Sequence, residues 1–115
     1  MLKLNLSKCP AAQDMVRIVM RDNSLSAEEA LKFSVNQNIY NQIVEAGYAS
    51  IALDLWGHAD PEREWDKLDE PQMEIEFDEF SQSLIDNIAE KEEVDINTAV
   101  AYFLLFTMDA LGYHI

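Results

Sequence analysis

The most apolar stretch of the chain is residues 95–112, which read DINTAVAYFLLFTMDALG. One helical face carries Ile96, Ala99, Val100, Phe103, Leu104, Met108 and Leu111, and the opposite side carries Tyr102, Leu105, Phe106 and Ala110. A helix that is apolar on all sides is buried in a protein core. Asp95 is suited to cap the first free amides of this helix, and Gly112 is suited to the left-handed turn that ends one. The sequence therefore predicts a buried C-terminal helix around which the other elements pack.

The uninterrupted apolar run of this helix extends only from Ala99 to Phe106, with Asp95 and Asp109 close to its ends. A membrane-spanning helix needs about 20 predominantly apolar residues. The stretch is therefore interpreted as a core helix, and no membrane role is expected.

The N-terminal half contains patterns of both kinds of secondary structure. Residues 1–6 alternate between apolar and polar side chains, which favours a half-buried strand, with a frayed end as the alternative. Pro10 suits the first position of a helix that runs to about Asp22. The inward residues of this helix are predicted to be Ala12, Val16, Val19 and Met20, and the outward ones Gln13, Asp14, Arg17 and Arg21.

Ser26 and Glu29 have the spacing of a capping box, so a helix should begin at residue 27. Apolar residues at four-residue steps continue to Ile43, and Gly47 provides a stop signal. Several asparagines interrupt the pattern, which leaves open whether residues 27–46 form one helix or two.

Residues 48–56 fit a short helix and a strand equally well, and residues 57–71 have the prolines and charges of a surface connection. Residues 73–77, MEIEF, alternate and form the second strand candidate. Asp78 or Ser81 can then cap a helix, whose apolar residues are Phe80, Leu84, Ile85 and Ile88. The predicted fold is mainly α, a compact multi-helix single domain spanning 1–115, with two short strands at 1–6 and 73–77 paired at one edge.

The charge of the chain is strongly negative and unevenly distributed. The 22 acids and eight Lys and Arg residues give a net charge of −14, of which −13 belongs to residues 60–115. A field of this sign repels phosphates and anionic lipids and attracts cationic surfaces. We therefore expect a basic protein partner and no direct binding to nucleic acid or membrane.

The sequence contains no recognisable catalytic motif. Cys9 is the single cysteine, and His58 and His114 are distant from it along the chain. His58 with Asp60, Glu62 and Glu64 could supply metal ligands, but the spacing is not that of a helix-borne site. No metal, no cofactor and no enzymatic activity are therefore predicted. The N-terminus lacks the apolar core of a signal peptide, and a cytoplasmic location is expected.

Ten acids and two bases lie between residues 60 and 79, interspersed with apolar side chains. An exposed tryptophan surrounded by carboxylates has the features of an interface anchor with a charged rim. The alternative is that Trp65 and Leu68 fold back onto the core while the acids serve solubility. The candidate partner-binding residues are Trp56, Asp60, Glu62, Glu64, Trp65, Asp66, Asp69, Glu70, Glu74 and Glu76.

The leading hypothesis is a small acidic cytoplasmic binding protein that docks on a basic protein surface. Carboxylates can occupy positions meant for phosphates, so an inhibitor of a nucleic-acid-processing protein fits this composition. Immunity proteins and antitoxins act in this way, although no motif connects this chain to any of their families. The alternatives are an adaptor or chaperone subunit with an apolar helix groove, and a small enzyme using carboxylates and His58. The choice between a monomer and a dimer is left open.

Overall fold

Five α-helices and one pair of strands make up the part of the chain that the computed structural model describes, which is residues 2–47 and 66–112. In chain order these are β1 Leu2–Asn5, α1 Pro10–Asn23, α2 Ala27–Ser34, α3 Gln37–Ala46, β2 Gln72–Ile75, α4 Glu79–Lys91 and α5 Ile96–Ala110. The prediction of a mainly α fold with two short strands is confirmed. The strand and helix alternatives for residues 48–56 lie outside the described residues.

The C-terminal helix α5 is the centre of the molecule, as its sequence predicts. It packs against all four other helices and against β1. Ten of its fifteen residues are buried, and Phe103 and Leu104 have no exposed surface. Asp95 caps the helix by accepting a hydrogen bond from the Thr98 main-chain N–H at 2.8 Å. The apolar pattern overstates the buried length at the C-terminal end, because Ala110 and Leu111 are exposed.

Residues 27–46 form two helices, which settles the alternative that the sequence leaves open. Val35 leaves the helical conformation, and the Asn36 side chain accepts a hydrogen bond from the Ile39 main-chain N–H at 3.0 Å. Asn36 also donates a side-chain hydrogen bond to the Phe33 carbonyl at 3.0 Å. One asparagine therefore serves the end of α2 and caps the start of α3.

Local capping signals are confirmed at the starts of α2 and α4 as well. Ser26 and Glu29 form both hydrogen bonds of the capping box at the start of α2. The Ser26 main-chain N–H donates to the Glu29 carboxylate at 3.0 Å, and this bond, with one from the Ser26 side chain, holds the pKa of the Glu29 carboxyl below its ordinary value. Asp78, rather than Ser81, caps α4 and accepts from the Ser81 N–H at 2.6 Å, which lowers the pKa of Asp78 for the same reason.

The two strands pair antiparallel, with Leu2 opposite Ile75 and Leu4 opposite Met73. Their core-facing side includes Leu4 and Ile75, both buried, whereas Lys3 and Glu74 are exposed on the other side. The alternation of apolar and polar residues that predicts each strand thus corresponds to its buried and exposed faces.

Phe80 departs from its prediction as one of the apolar residues of α4. It lies on the outer side of this helix and is 58% exposed.

Candidate partner-binding surface

Residues 66–76 comprise β2 and the irregular stretch before it, and buried and exposed side chains are separated along them; we call these residues the acidic segment. Leu68 and Ile75 are buried. Its five acidic residues are all exposed, namely Asp66, Asp69, Glu70, Glu74 and Glu76. Burial of the apolar side chains against the body of the protein therefore leaves the carboxylates in water.

Helix α1 holds the first part of the acidic segment through three side chains. Gln13 accepts a hydrogen bond from the Leu68 main-chain N–H at 2.9 Å and donates one to the Leu6 carbonyl at 2.8 Å. Asp14 accepts from the Asp66 main-chain N–H at 3.1 Å, and Arg17 donates to the Lys67 carbonyl at 3.0 Å. Residues 66–68 have no strand or helix partner among the described elements, and side chains of α1 satisfy three of their main-chain groups instead.

The second part of the acidic segment is held by β1. The Leu6 main-chain N–H donates to the Pro71 carbonyl at 2.9 Å, and the β1–β2 pairing follows directly. The acidic segment is therefore attached to the N-terminal part of the chain along most of its length, and the main chain that carries its carboxylates has a defined position on the molecule.

Two cations lie beside the acidic segment without neutralising it. A guanidinium nitrogen of Arg17 is 3.6 Å from the Asp69 carboxylate, and the Lys3 ammonium is 3.8 Å from that of Glu74. Both pairs are largely exposed to water, where an ion pair contributes about 0–1 kcal/mol. Such contacts are easily exchanged for contacts with a partner.

Two clefts adjoin this region. One, of about 420 Å³, lies between α1, the start of α2 and the acidic segment. Its lining residues are Arg17, Met20, Ala27, Glu28, Leu68, Asp69, Glu70, Met73, Glu74 and Ile75. The other, of about 440 Å³, is lined by Lys32, Glu76, Phe77, Asp78 and Ser81. Apolar side chains and carboxylates are thus mixed at the surface next to β2.

The structure describes half of the predicted partner-binding residues. Asp66, Asp69, Glu70, Glu74 and Glu76 belong to the acidic segment and are exposed. Five others lie outside the described residues: Trp56, Asp60, Glu62, Glu64 and Trp65. Leu68 is buried, as in the alternative in which it folds back onto the core.

The sequence reasoning missed the role of Gln13, which it places on the outer face of α1. The Gln13 side chain is only 2% exposed. A signal was present, because Gln13 lies three residues before Val16 and seven before Met20 and therefore shares the border of their apolar face. The pattern does not show that the Leu68 N–H and the Leu6 carbonyl lie beside Gln13 and need an acceptor and a donor there.

Replacing Gln13 with leucine should lower the free energy of unfolding by about 2 kcal/mol. The leucine would fill similar space, but the Leu68 N–H and the Leu6 carbonyl would lose a buried hydrogen-bond partner. Urea denaturation of both proteins measures the difference.

A matched control is Gln37→Leu, because Gln37 is exposed and, among the described residues, its side chain donates only to Asn41, at 2.8 Å. That substitution should change the free energy of unfolding by less than about 0.5 kcal/mol. Equal effects of the two substitutions would contradict a structural role for Gln13.

Few of the described side chains are placed for nucleophilic catalysis or metal binding. Cys9 is buried, and burial raises the pKa of its thiol, which favours the unreactive protonated form. His58 and His114 lie outside the described residues. Within residues 2–47 and 66–112, no three metal-ligating side chains come together.

None of the helices described by the structure is both long and apolar enough to span a bilayer.

Neither a protein-family model, nor a curated protein, nor a solved structure matches this chain.

Proposed function

We propose that this protein is an acidic binding protein whose acidic segment docks on a basic surface of another protein. The observation that carries the proposal is that the main chain bearing these exposed carboxylates is held against the body of the protein. Gln13, Asp14 and Arg17 hold residues 66–68 in place, and all five acids of the acidic segment face water. A surface fixed before binding loses less conformational entropy when a partner docks.

The charge of the chain supports a cationic partner. The net charge of −14 creates a field that attracts basic surfaces and can raise association rates about tenfold or more. A basic surface that normally binds nucleic acid phosphates is one such target. On this basis we propose inhibition of a nucleic-acid-processing protein in the cytoplasm, with the acids of residues 60–76 occupying phosphate positions.

Salt dependence tests the proposal directly. The tagged protein is incubated with lysate of its native cells at low and at high ionic strength, and the captured proteins are identified by mass spectrometry. We expect a basic protein to be captured at low salt and lost at high salt, because screening weakens contacts between exposed charges. Capture that is insensitive to salt would instead favour an adaptor that binds through an apolar helix groove.

A further inference from the structure

The pairing of β1 and β2 determines which main-chain groups of β2 point away from the sheet. In an antiparallel pair, opposed residues alternate between those that exchange hydrogen bonds and those that do not. The bond from the Leu6 N–H to the Pro71 carbonyl places Leu4 with Met73, and Leu2 with Ile75, in the bonded positions. The N–H and C=O groups of Gln72 and Glu74 therefore point outward.

The two edges of this sheet differ in how their outward groups are satisfied. On the β1 edge, the Asn5 N–H donates to the Asn97 side chain at 2.9 Å, which ties that edge to α5. On the β2 edge, no described residue bonds the main-chain groups of Gln72 or Glu74. Of the described elements, only β1 packs closely along β2. As far as residues 2–47 and 66–112 are concerned, the β2 edge thus retains the donors and acceptors that an added strand would need.

The surroundings of the β2 edge indicate the chemistry of such a strand. The cleft of about 420 Å³ beside it has apolar lining from Met20, Leu68 and Met73. Carboxylates of Glu28, Asp69, Glu70 and Glu74 also line this cleft. An extended segment here would meet an apolar floor on one face and negative charge around it.

We propose that an extended basic segment of the partner adds to the outer edge of β2 as a third strand. This proposal rests on the proposed function and specifies how part of the contact is made. Main-chain bonds to Gln72 and Glu74 hold the segment, and alternate side chains provide selectivity. A side chain opposite Glu74 lies on the exposed face and should be basic, whereas those opposite Met73 and Ile75 face the cleft and should be apolar.

A second copy of this chain is a poorer occupant of the same edge. Pairing two β2 edges would bring the Glu74 carboxylates of both copies into one small sheet, where like charges repel. Glu74 therefore acts against self-pairing while it favours a cationic strand.

Peptide binding tests this proposal without knowledge of the partner. The probe is a seven-residue peptide that alternates lysine and valine, titrated onto the intact protein at low salt. Two control peptides are N-methylated, one on the lysine amides and one on the valine amides, and both retain the charge of the probe. Because an added strand uses only one of its own edges, one methylated peptide should bind about tenfold more weakly and the other should bind like the probe. Equal affinity for all three peptides, or an equal loss for both methylated ones, would overturn strand addition.

A pair of protein variants separates main-chain bonding from charge. Gln72→Pro removes an outward N–H and leaves the net charge and the bonds to β1 unchanged, a change that edge strands tolerate. It should weaken peptide binding about tenfold, whereas Glu74→Gln keeps the N–H and should cause a smaller loss that disappears at high salt. If Gln72→Pro binds the peptide normally while charge reversal abolishes capture of the partner, strand addition fails and the proposed function stands.

Hydrogen exchange on the unmodified protein gives an independent result that does not depend on how the variants fold. The Gln72 and Glu74 amides should exchange quickly in the free protein and slowly with the lysine–valine peptide bound. Slow exchange of both amides in the free protein would show that the β2 edge is already occupied and would overturn the proposal. The free protein could also sediment as a dimer. If dissociation of that dimer speeds exchange of these amides, a second copy occupies the edge, and the proposal is overturned as well.

Discussion

Replacing Leu104 with aspartate should leave the protein unfolded under native conditions. Leu104 has no exposed surface and lies in α5, the helix that packs against every other helix described. The substitution forfeits about 1.5–3 kcal/mol of apolar burial. It also forces a carboxylate into the core, at a cost of several kcal/mol. These two losses are comparable to the total stability of a typical domain, about 5–15 kcal/mol.

Circular dichroism and thermal denaturation measure this effect, with Leu111→Asp as the matched control. Leu111 follows the same helix, but its side chain is 42% exposed. Aspartate there should cost no more than about 1 kcal/mol, mainly because a negative charge is unfavourable at a helix C-terminus. A Leu104→Asp protein that melts cooperatively near the temperature of the wild type would show that α5 is not the centre of the core.

Reversing the charge of Asp69, Glu70 and Glu74 to lysine should abolish capture of the partner while the fold is retained. All three side chains are exposed, and their only ion pairs in the described structure are those of Asp69 with Arg17 and Glu74 with Lys3. Loss of attraction and added repulsion should slow association with a basic protein about ten- to a hundredfold. The measurement is capture from native-cell lysate at low salt, followed by association kinetics with the partner that is recovered.

The control variant reverses Asp86, Glu90 and Glu93, which changes the net charge of the protein by the same amount. These acids are exposed in the second half of α4 and the turn after it, away from the acidic segment along the chain. Capture should persist, with only a modest reduction from the change in overall field. If both triple variants lose the partner equally, total charge rather than the acidic segment governs binding.

Much of the local structure follows from short-range sequence patterns. Ser26, Asp78 and Asp95 mark helix starts because a side-chain oxygen can reach an amide three residues away regardless of the rest of the fold. The alternation in residues 1–6 and 73–77 predicts the two strands because one side of each must be buried, and the structure places them at Leu2–Asn5 and Gln72–Ile75. Exposure of the five acids in the acidic segment follows in the same way from the cost of burying charge.

The candidate site was less predictable, because its geometry depends on contacts between distant parts of the chain. The Gln13 side chain accepts a hydrogen bond from the Leu68 N–H, which is 55 residues away in sequence. No pattern within α1 indicates that the border of its apolar face contacts another segment. That the described residues leave one edge of β2 unpaired likewise depends on which strand pairs with β2 and on which side. Alternation alone is the same for an edge strand and a central one.

The sequence by itself determined the two strands, most of the helices, the caps at Ser26 and Asp95, and the buried helix at the centre, since each follows from spacings within one or two helical turns. Only the tertiary structure decided that Gln13 bonds the main chain of Leu68 and that the outer edge of β2 remains unpaired by the described residues. The physical reason is that main-chain hydrogen bonds must be satisfied wherever the chain is buried, and the group that satisfies them is chosen by packing in space rather than by position in sequence.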